Sequence, residues 1–371
     1  MVRLGDVCTV VSGSTPKTNI PEYWDGDIKW ITPAELNEDS FYLFDSQRHI
    51  TEIGREKTGL CFMPAGTVIL SSRAPIGKTA IAGCELCCNQ GFKNLICSDA
   101  IFNEYLYYFL RSKTDYLNSL GRGATFKEIS KSIVENIEIR LPTLEEQKQV
   151  AKQFKHIYHL ISLRKQQLAK LDELVKSRFV EMFGDRWANN LGWPQKPLKD
   201  CATFYNGKAH EQVVDENGEY ILVTSKCIAS DQREYRRTNT LLFPLQSGDI
   251  CMVMSDVPNG RALAKCMMIN EDNRYTLNQR ICCLRGYSLH PVFFMHVLNR
   301  HEFFLSFNDG DSQTNLRKDD LLSCPIILPP MELQEQFAAF VEQTDKSKLA
   351  IQQSLNKLEI LKKALMQKYF G

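Results

Sequence analysis

The chain repeats itself, and that constrains its fold more than any short motif does. The segment "QQLAKLDELVKSRFVEMFG" (166–184) returns as "QQSLNKLEILKKALMQKYFG" (352–371). After one residue of slippage, Leu168, Lys170, Leu171, Leu174, Lys176, Phe183 and Gly184 fall on Leu355, Lys357, Leu358, Leu361, Lys363, Phe370 and Gly371, 187 positions on. Upstream, "IRLPTLEEQKQVAKQF" pairs with "IILPPMELQEQFAAFV", so that Leu144, Glu146 and Gln147 are read onto Leu333, Glu335 and Gln336. Asn89-Gln90 recurs as Asn278-Gln279, and "PAGTVILSSRAPIGK" as "LQSGDICMVMSDVPNGR". Similarity at one long period means a duplicated unit. A chain of 371 residues also exceeds what one ordinary core holds. The expected layout is a globular part over 1–142, a helix over 143–187, a second globular part over 188–330 and a second helix over 331–371.

The helices carry a seam. Val150, Phe154, Ile157, Ile161, Arg164, Leu168, Leu171, Val175, Arg178 and Met182 step by alternating fours and threes, as do Ile351, Leu355, Leu358, Lys362, Leu365 and Tyr369. That spacing keeps one stripe against a partner in a supercoiled pair. Pro142 and Pro329-Pro330 stand before the helices, and Gly184 and Gly371 after them. Some 40 residues make a rod of roughly 60 Å. Two such rods from one chain pair most simply as antiparallel neighbours, giving a dumbbell.

Each globular part mixes short β-rich runs ("GTVILSS", "NLICS", "IEIRL"; "DICMVMS", "RICCL", "PIILP") with short helical ones ("NEYLYYFLRS", "PVFFMHVLNR"), an α+β pattern with a strand-dominated core. Gly77-Lys78-Thr79 invites reading as a phosphate-binding loop. Such a loop needs a glycine where this chain has Ser72, and it opens a helix, whereas Thr79-Ala80-Ile81-Ala82-Gly83 reads as a second strand. A hairpin presenting Arg73 and Lys78 at its tip is the expectation. Gly260-Arg261-Ala262 is read as its counterpart in the second copy.

The loops bear cations and amides: "GSTPKTNIPEYW", "SSRAPIGK", "NQGFKN" and "GRGATFKEIS" first, then "NGKAHEQ", "DQREYRRTN", "SDVPNGRA", "LNQR" and "DGDSQTNLRKDD". Arg and Lys suit phosphates and guanine, and Asn and Gln suit adenine. Net charge divides as −2, +3, −1 and +1 over the four segments. Any nucleic-acid affinity therefore rests on local patches or on a partner's charge. Thirteen cysteines without a basic, apolar start predict a reducing cytoplasm. No stretch suits a membrane span. "CELCC" (Cys84, Cys87, Cys88) has no second ligand pair at finger spacing, so buried thiols are expected rather than a metal.

The opening "LGDVCTVVSGSTPK…YWDGDIKWITPAELN", the "GTVILSSRAPIGKTAIA" hairpin, "NQGFKNL", "GATFKEISKSIVENIEIRLPTLEEQKQVA" and the repeated helices together resemble the specificity (S) subunits of type I restriction-modification systems. The resemblance covers essentially the whole chain in two copies. It implies two pseudo-symmetric target-recognition domains, each reading half of a bipartite double-stranded DNA sequence. It implies also that the helices form an antiparallel coiled coil that sets the gap and docks two methylation (M) subunits, through which restriction (R) subunits join. On that resemblance the DNA-contacting residues of the first copy are Lys17, Ser71, Ser72, Arg73, Lys78, Asn89, Gln90, Lys93, Arg122 and Lys127. In the second they are Lys208, Arg236, Arg237, Arg261, Asn278, Gln279, Arg280, Arg317 and Lys318.

No "NPPY" or "DPPY" tetrad, glycine-rich S-adenosylmethionine loop or nuclease-like carboxylate cluster is present in the sequence. On that resemblance catalysis, with its S-adenosylmethionine, ATP and Mg, is expected in partner subunits, and no cofactor or metal in this chain. A nucleotide hydrolase built on Gly77-Lys78-Thr79, a protein-binding adaptor and a modification-only system are the alternatives.

Overall fold

The computed structural model describes residues 1–73, 75–122, 127–258 and 260–371. It divides into two compact units, residues 1–165 with 353–371 and residues 166–352. Both divisions fall inside 40-residue helices, Leu144–Phe183 and Met331–Phe370.

In the first unit, five strands lie in the order Cys8–Ser12, Phe92–Cys97, Val68–Ser71, Thr79–Ala82, Tyr42–Leu43, antiparallel except for the last, which joins parallel. Val68–Ser71 and Thr79–Ala82 are buried along their whole length. This is why they read as unbroken apolar runs rather than alternating ones. A three-stranded sheet centres on Trp24–Ile31, with Arg48–Ile50 antiparallel on one side and Cys87–Cys88 parallel on the other.

The second unit rebuilds this plan. Thr203–Asn206, Ile281–Arg285, Ile250–Val253 and Cys266–Met268 form an antiparallel sheet. Tyr220–Val223 is flanked by Arg236–Thr238 antiparallel and Tyr275–Leu277 parallel. The α+β class is thus present twice, with the same mixed three-stranded sheet in each copy.

The long helices close both cores. In the first unit Phe154 stacks between Tyr108 and Phe370, with centroids at 5.3 and 5.4 Å. Gln153 accepts from the Tyr369 hydroxyl at 3.2 Å, and Lys362 lies over the Tyr158 ring. Rising from 153 to 158 thus means falling from 370 to 362, and the segments run antiparallel. In the second unit Lys348 pairs with Asp172 at 2.6 Å, Arg178 covers Phe340, and Phe179 and Phe183 pack on Phe337. There too the segments are antiparallel. The seam holds: Val150, Phe154, Ile157, Ile161 and Val175 are buried, joined by Phe179 and Phe183.

Helix starts and stops have local causes. Thr143 and Glu146 form a reciprocal cap, Glu146 Oε2 accepting from the Thr143 N–H at 2.9 Å while Thr143 Oγ1 accepts from the Glu146 N–H at 3.3 Å. At the other end Gly184 takes φ +72°, a left-handed conformation that suits a residue without Cβ.

A buried glutamine corrects the repeat's register. Gln147 accepts from the Phe102 N–H at 2.8 Å and donates to the carbonyls of Ala100 at 3.1 Å and Pro142 at 2.9 Å. Gln334 accepts from the His290 N–H at 2.9 Å and donates to the Pro329 carbonyl at 2.8 Å. Gln147 therefore answers to Gln334, not to the Gln336 expected from the sequence. One offset, 187, runs from helix start to helix end.

Candidate nucleic-acid interface

Each unit ties its polar loops together at one backbone crossing. In the first, a Cβ on Gly13 would sit 2.0 Å from the Asn89 carbonyl oxygen. Ser14 N–H donates to Cys88 O at 3.0 Å, and Asn89 N–H to Ile31 O at 3.0 Å. In the second, a Cβ on Gly207 would sit 1.9 Å from the Asn278 carbonyl oxygen. Lys208 N–H donates to Leu277 O at 3.0 Å, and Asn278 N–H to Val223 O at 3.1 Å. No side chain fits at either glycine, so both crossings need one. They place "GSTPK" beside "NQG", and "NGKAH" beside "NQR".

The next residues turn into a short helix in both copies. Thr32 precedes Pro33–Glu35, its N–H donating to Glu35 Oε1 at 2.7 Å, and Thr224 caps Ser225–Ala229 by accepting from the Cys227 N–H at 3.2 Å. A lysine pins each turn from below. Lys78 Nζ donates to the carbonyls of Pro33 at 3.1 Å and Leu36 at 2.5 Å. Lys265 Nζ donates to the Ala229 carbonyl at 2.9 Å and to Asp231 Oδ1 at 2.7 Å.

Two expectations are corrected here. Val68–Ser71 and Thr79–Ala82 do form the expected antiparallel hairpin. Lys78, however, is drawn inward by two carbonyls rather than presented at the tip. Strand register pairs Leu70 with Thr79 and Met252 with Cys266, so the counterpart of Lys78 is Lys265, not Arg261. The second copy's turn is longer, and an ungapped reading of the strings slips along it. Ala74, residues 123–126 of "GRGATFKEIS" and Asn259 of "SDVPNGRA" lie outside the described residues.

The remaining nominated residues fall into groups. Ser71 and Ser72 are buried; Ser71 Oγ bonds Pro75 O and Lys78 N, closing the turn from inside. Lys93 is buried and pairs with Glu128 at 3.1 Å. Arg73 is half-buried and bridges through its backbone to Glu128. Asn89 is half-buried and closes its own turn, Oδ1 accepting from Gly91 N–H at 2.8 Å. Gln90 is exposed against the Thr15 hydroxyl, and Gln279 against Glu211. Arg237 is occupied by the Gly218 and Glu219 carbonyls, and Lys318 lies over Phe204. Lys17, Arg122, Lys127, Lys208, Arg236, Arg261, Arg280 and Arg317 are exposed and pair with no carboxylate among the described residues. Among the nominated cations, those eight are exposed and, among the described residues, are held by no carboxylate, carbonyl or aromatic ring.

Arg236 and Asn278 come together in an open cleft of about 640 Å³, lined also by Thr224, Ser225, Lys226, Arg233, Glu234 and Tyr235. Asn278 Oδ1 is buried there without a hydrogen-bond partner among the described residues. Arg233 stands in the "DQREYRRTN" loop but is not singled out within it, and Lys226 escaped the sequence reading altogether. So did Arg48, which stands opposite Trp30 as Arg236 stands opposite Leu222, with its guanidinium 3.6 Å from the Trp24 ring centroid. Pairing register is the signal that finds it, since the two strands, Arg48–Ile50 and Arg236–Thr238, have only that arginine in common.

Cys87 and Cys88 are buried in their short strand, and burial pushes the Cys87 thiol up to about 12. Among the described residues, no helix is long and apolar enough to cross a membrane and no group of three or more His, Cys, Asp or Glu is placed to hold a metal ion.

The profile of the type I restriction modification DNA specificity domain matches the chain twice, over residues 1–173 and 190–360. The MjaIX type I restriction enzyme specificity subunit of Methanocaldococcus jannaschii is 30% identical over 404 aligned positions, which span 99% of this chain and 91% of that protein. The crystal structure of a type I restriction-modification S subunit from M. genitalium superposes with a TM-score of 0.58 at 14% identity, over 100% of this chain and 95% of that one. A chain from a structural study of complex assembly and conformational transition in the type I system superposes with a TM-score of 0.62 at 18% identity, over 100% and 96%. With the duplicated fold, two profile matches and a full-length relative in agreement, this chain belongs to the type I restriction-modification DNA specificity family and is an S subunit with two target-recognition domains.

Proposed function

We propose that each unit reads one half of a bipartite double-stranded DNA target, and that the paired helices set the unread gap and dock two methylation subunits. Restriction subunits join through that assembly. The carrying observation is the repeat itself: two copies of one loop-bearing frame, each followed by a helix of 40 residues. In this reading the exposed, unpaired cations meet phosphates or bases: Lys17, Arg122 and Lys127 in the first unit, and Lys208, Arg236, Arg261, Arg280 and Arg317 in the second. The chain itself is non-catalytic and acts in the cytoplasm. S-adenosylmethionine, ATP and Mg serve the partners, where base flipping and methyl transfer take place.

Mapping of adenine methylation with the partner subunits present tests the division of labour. Inserting four residues between Leu168 and Leu171 adds about 6 Å of helix. It should lengthen the gap by one or two base pairs and leave both half-sequences unchanged. Exchanging residues 1–142 for another member's first head should change one half-sequence and leave the gap alone. A half-sequence altered by the insertion would defeat the ruler.

A further inference from the structure

Cys8 and Cys97 stand directly opposite each other on the antiparallel strands Cys8–Ser12 and Phe92–Cys97. The flanking bonds define the type of pair. Ser98 N–H donates to Val7 O at 3.0 Å, and Gly13 N–H to Phe92 O at 3.4 Å, so 7/98 and 13/92 are hydrogen-bonded pairs and 8/97 falls between them. Pairs of that second kind bring Cα atoms to about 4.5 Å with their side chains close. Disulfides span roughly 4.4 to 6.8 Å between Cα atoms. The ladder thus holds two thiols at bonding separation before any bond exists.

The two thiols differ in access. Cys8 is buried, whereas Cys97 is half-buried and lines an open cleft of about 350 Å³ bounded by Pro64, Gly66, Ile96, Ser98, Asp99 and Asn103. Cys8 also keeps its proton far above the ordinary thiol range, first through its hydrogen bond with Cys97 and then through burial. Cys97 is accordingly the attacking sulfur.

We propose that Cys8 and Cys97 form an oxidisable dithiol, at which a small disulfide of the glutathione class is reduced to two thiols while a cross-strand Cys8–Cys97 bond forms. The Cys97 thiolate attacks one sulfur of the small disulfide and expels the first thiolate, leaving a mixed disulfide in the cleft. The Cys8 sulfur then gives up its proton to the solvent, attacks Cys97 and expels the second thiolate. Two protein thiols and one small disulfide become one protein disulfide and two small thiols.

The rest of the chain supplies controls. The strand register puts Ala202 and Gly286 at the corresponding places in the second unit, so the dithiol belongs to the first unit alone. Cys251 and Cys283 are also opposed, between hydrogen-bonded pairs such as Met254 N–H to Arg280 O, yet both are buried. They have the geometry without the access.

The test treats the reduced full-length chain with glutathione disulfide and maps its peptides without reduction. A Cys8–Cys97 link, removed by dithiothreitol, together with a higher Tm in the oxidised chain, is expected. Cys97→Ser should lose both. So should Cys8→Ala, which the fold tolerates because the second unit has Ala202 there. Four results overturn the proposal: both thiols still alkylatable after exposed Cys61 has reacted, a persistent mixed disulfide at Cys97, a link that lowers Tm, or a Tm rise that survives in either variant.

Discussion

Lys78 and Lys265 show how a distant segment can draw in a side chain whose type suits an exposed turn. Each follows a turn and would suit phosphate, but each ammonium is already held beneath a short helix, Lys78 by two backbone carbonyls and Lys265 by one carbonyl and the Asp231 carboxylate. A charged donor lost to carbonyls costs about 1.5 to 3 kcal/mol. Lys78→Met and Lys265→Met should each destabilise their own unit by about that much in urea titrations, and should leave the salt dependence of DNA binding by the assembled complex unchanged. Arg261→Ala, at an exposed cation with no carboxylate partner among the described residues, should do the reverse: equal stability, and a salt slope smaller by about one if it meets phosphate.

His301 carries a pH dependence at the same scale. Its Nδ1 accepts from the Phe303 N–H at 3.1 Å and caps Glu302–Leu305, and it is packed by Trp187 and Phe304. Burial, then the Arg186 guanidinium, lower its pKa from 6.5 to about 4, against the opposing pull of Glu302 and Asp185. The unfolded chain therefore binds the proton more readily. This stabilisation is complete above pH 6.5 and is lost as pH falls through 4, amounting to about 3 kcal/mol. His301→Asn keeps a capping acceptor and removes the titration. Its second unit should lose about 2 to 3 kcal/mol less stability than the parent between pH 7 and pH 4.5 in urea unfolding.

Among the elements, the long helices pack into each core, taken separately, by aromatic contact. Phe154 lies between Tyr108 and Phe370, and Phe183 meets Phe179, Phe293 and Phe337. Phe154→Ala should cost the first unit about 3 to 5 kcal/mol. Adding Phe370→Ala should cost less than the sum, since each ring is half of the other's contact; a double-mutant cycle reads that coupling. These helices were legible in the sequence because a heptad stripe is a property of spacing, and Val150, Phe154, Ile157, Ile161 and Val175 are buried as their spacing requires. The hairpin at Val68 was legible for a similar reason, through its apolar strands and missing glycine. The cations were not. Whether Lys78 points out or Lys93 pairs inward depends on what a distant segment places beside it, Pro33 and Leu36 in one case and Glu128 in the other. Nor could letter matching pair Lys78 with Lys265, because the intervening turns differ in length while the strand ladders do not.

At the scale of the molecule, each unit takes one segment from each long helix, and the first takes its second segment from residues 353–371. Phe370 is buried in that unit's core, with Leu365, Met366 and Tyr369 packed against it. Removing 353–371 should therefore unfold the first unit, far from the cut in sequence, and spare the second, whose segment 166–352 stays whole. Limited proteolysis of the shortened chain should release fragments from residues 1–165 while 166–352 resists; resistance of both would contradict it.

That division also orders events on the ribosome. Chains emerge N-terminus first, at roughly 5 to 20 residues per second. The second recognition unit has all its residues once position 352 has emerged, whereas the first, though synthesised earliest, waits for the last helix turns to seat Phe370. The half of the protein made first is thus the half completed last. A premature stop late in the message leaves a chain that keeps its second head and has lost its first.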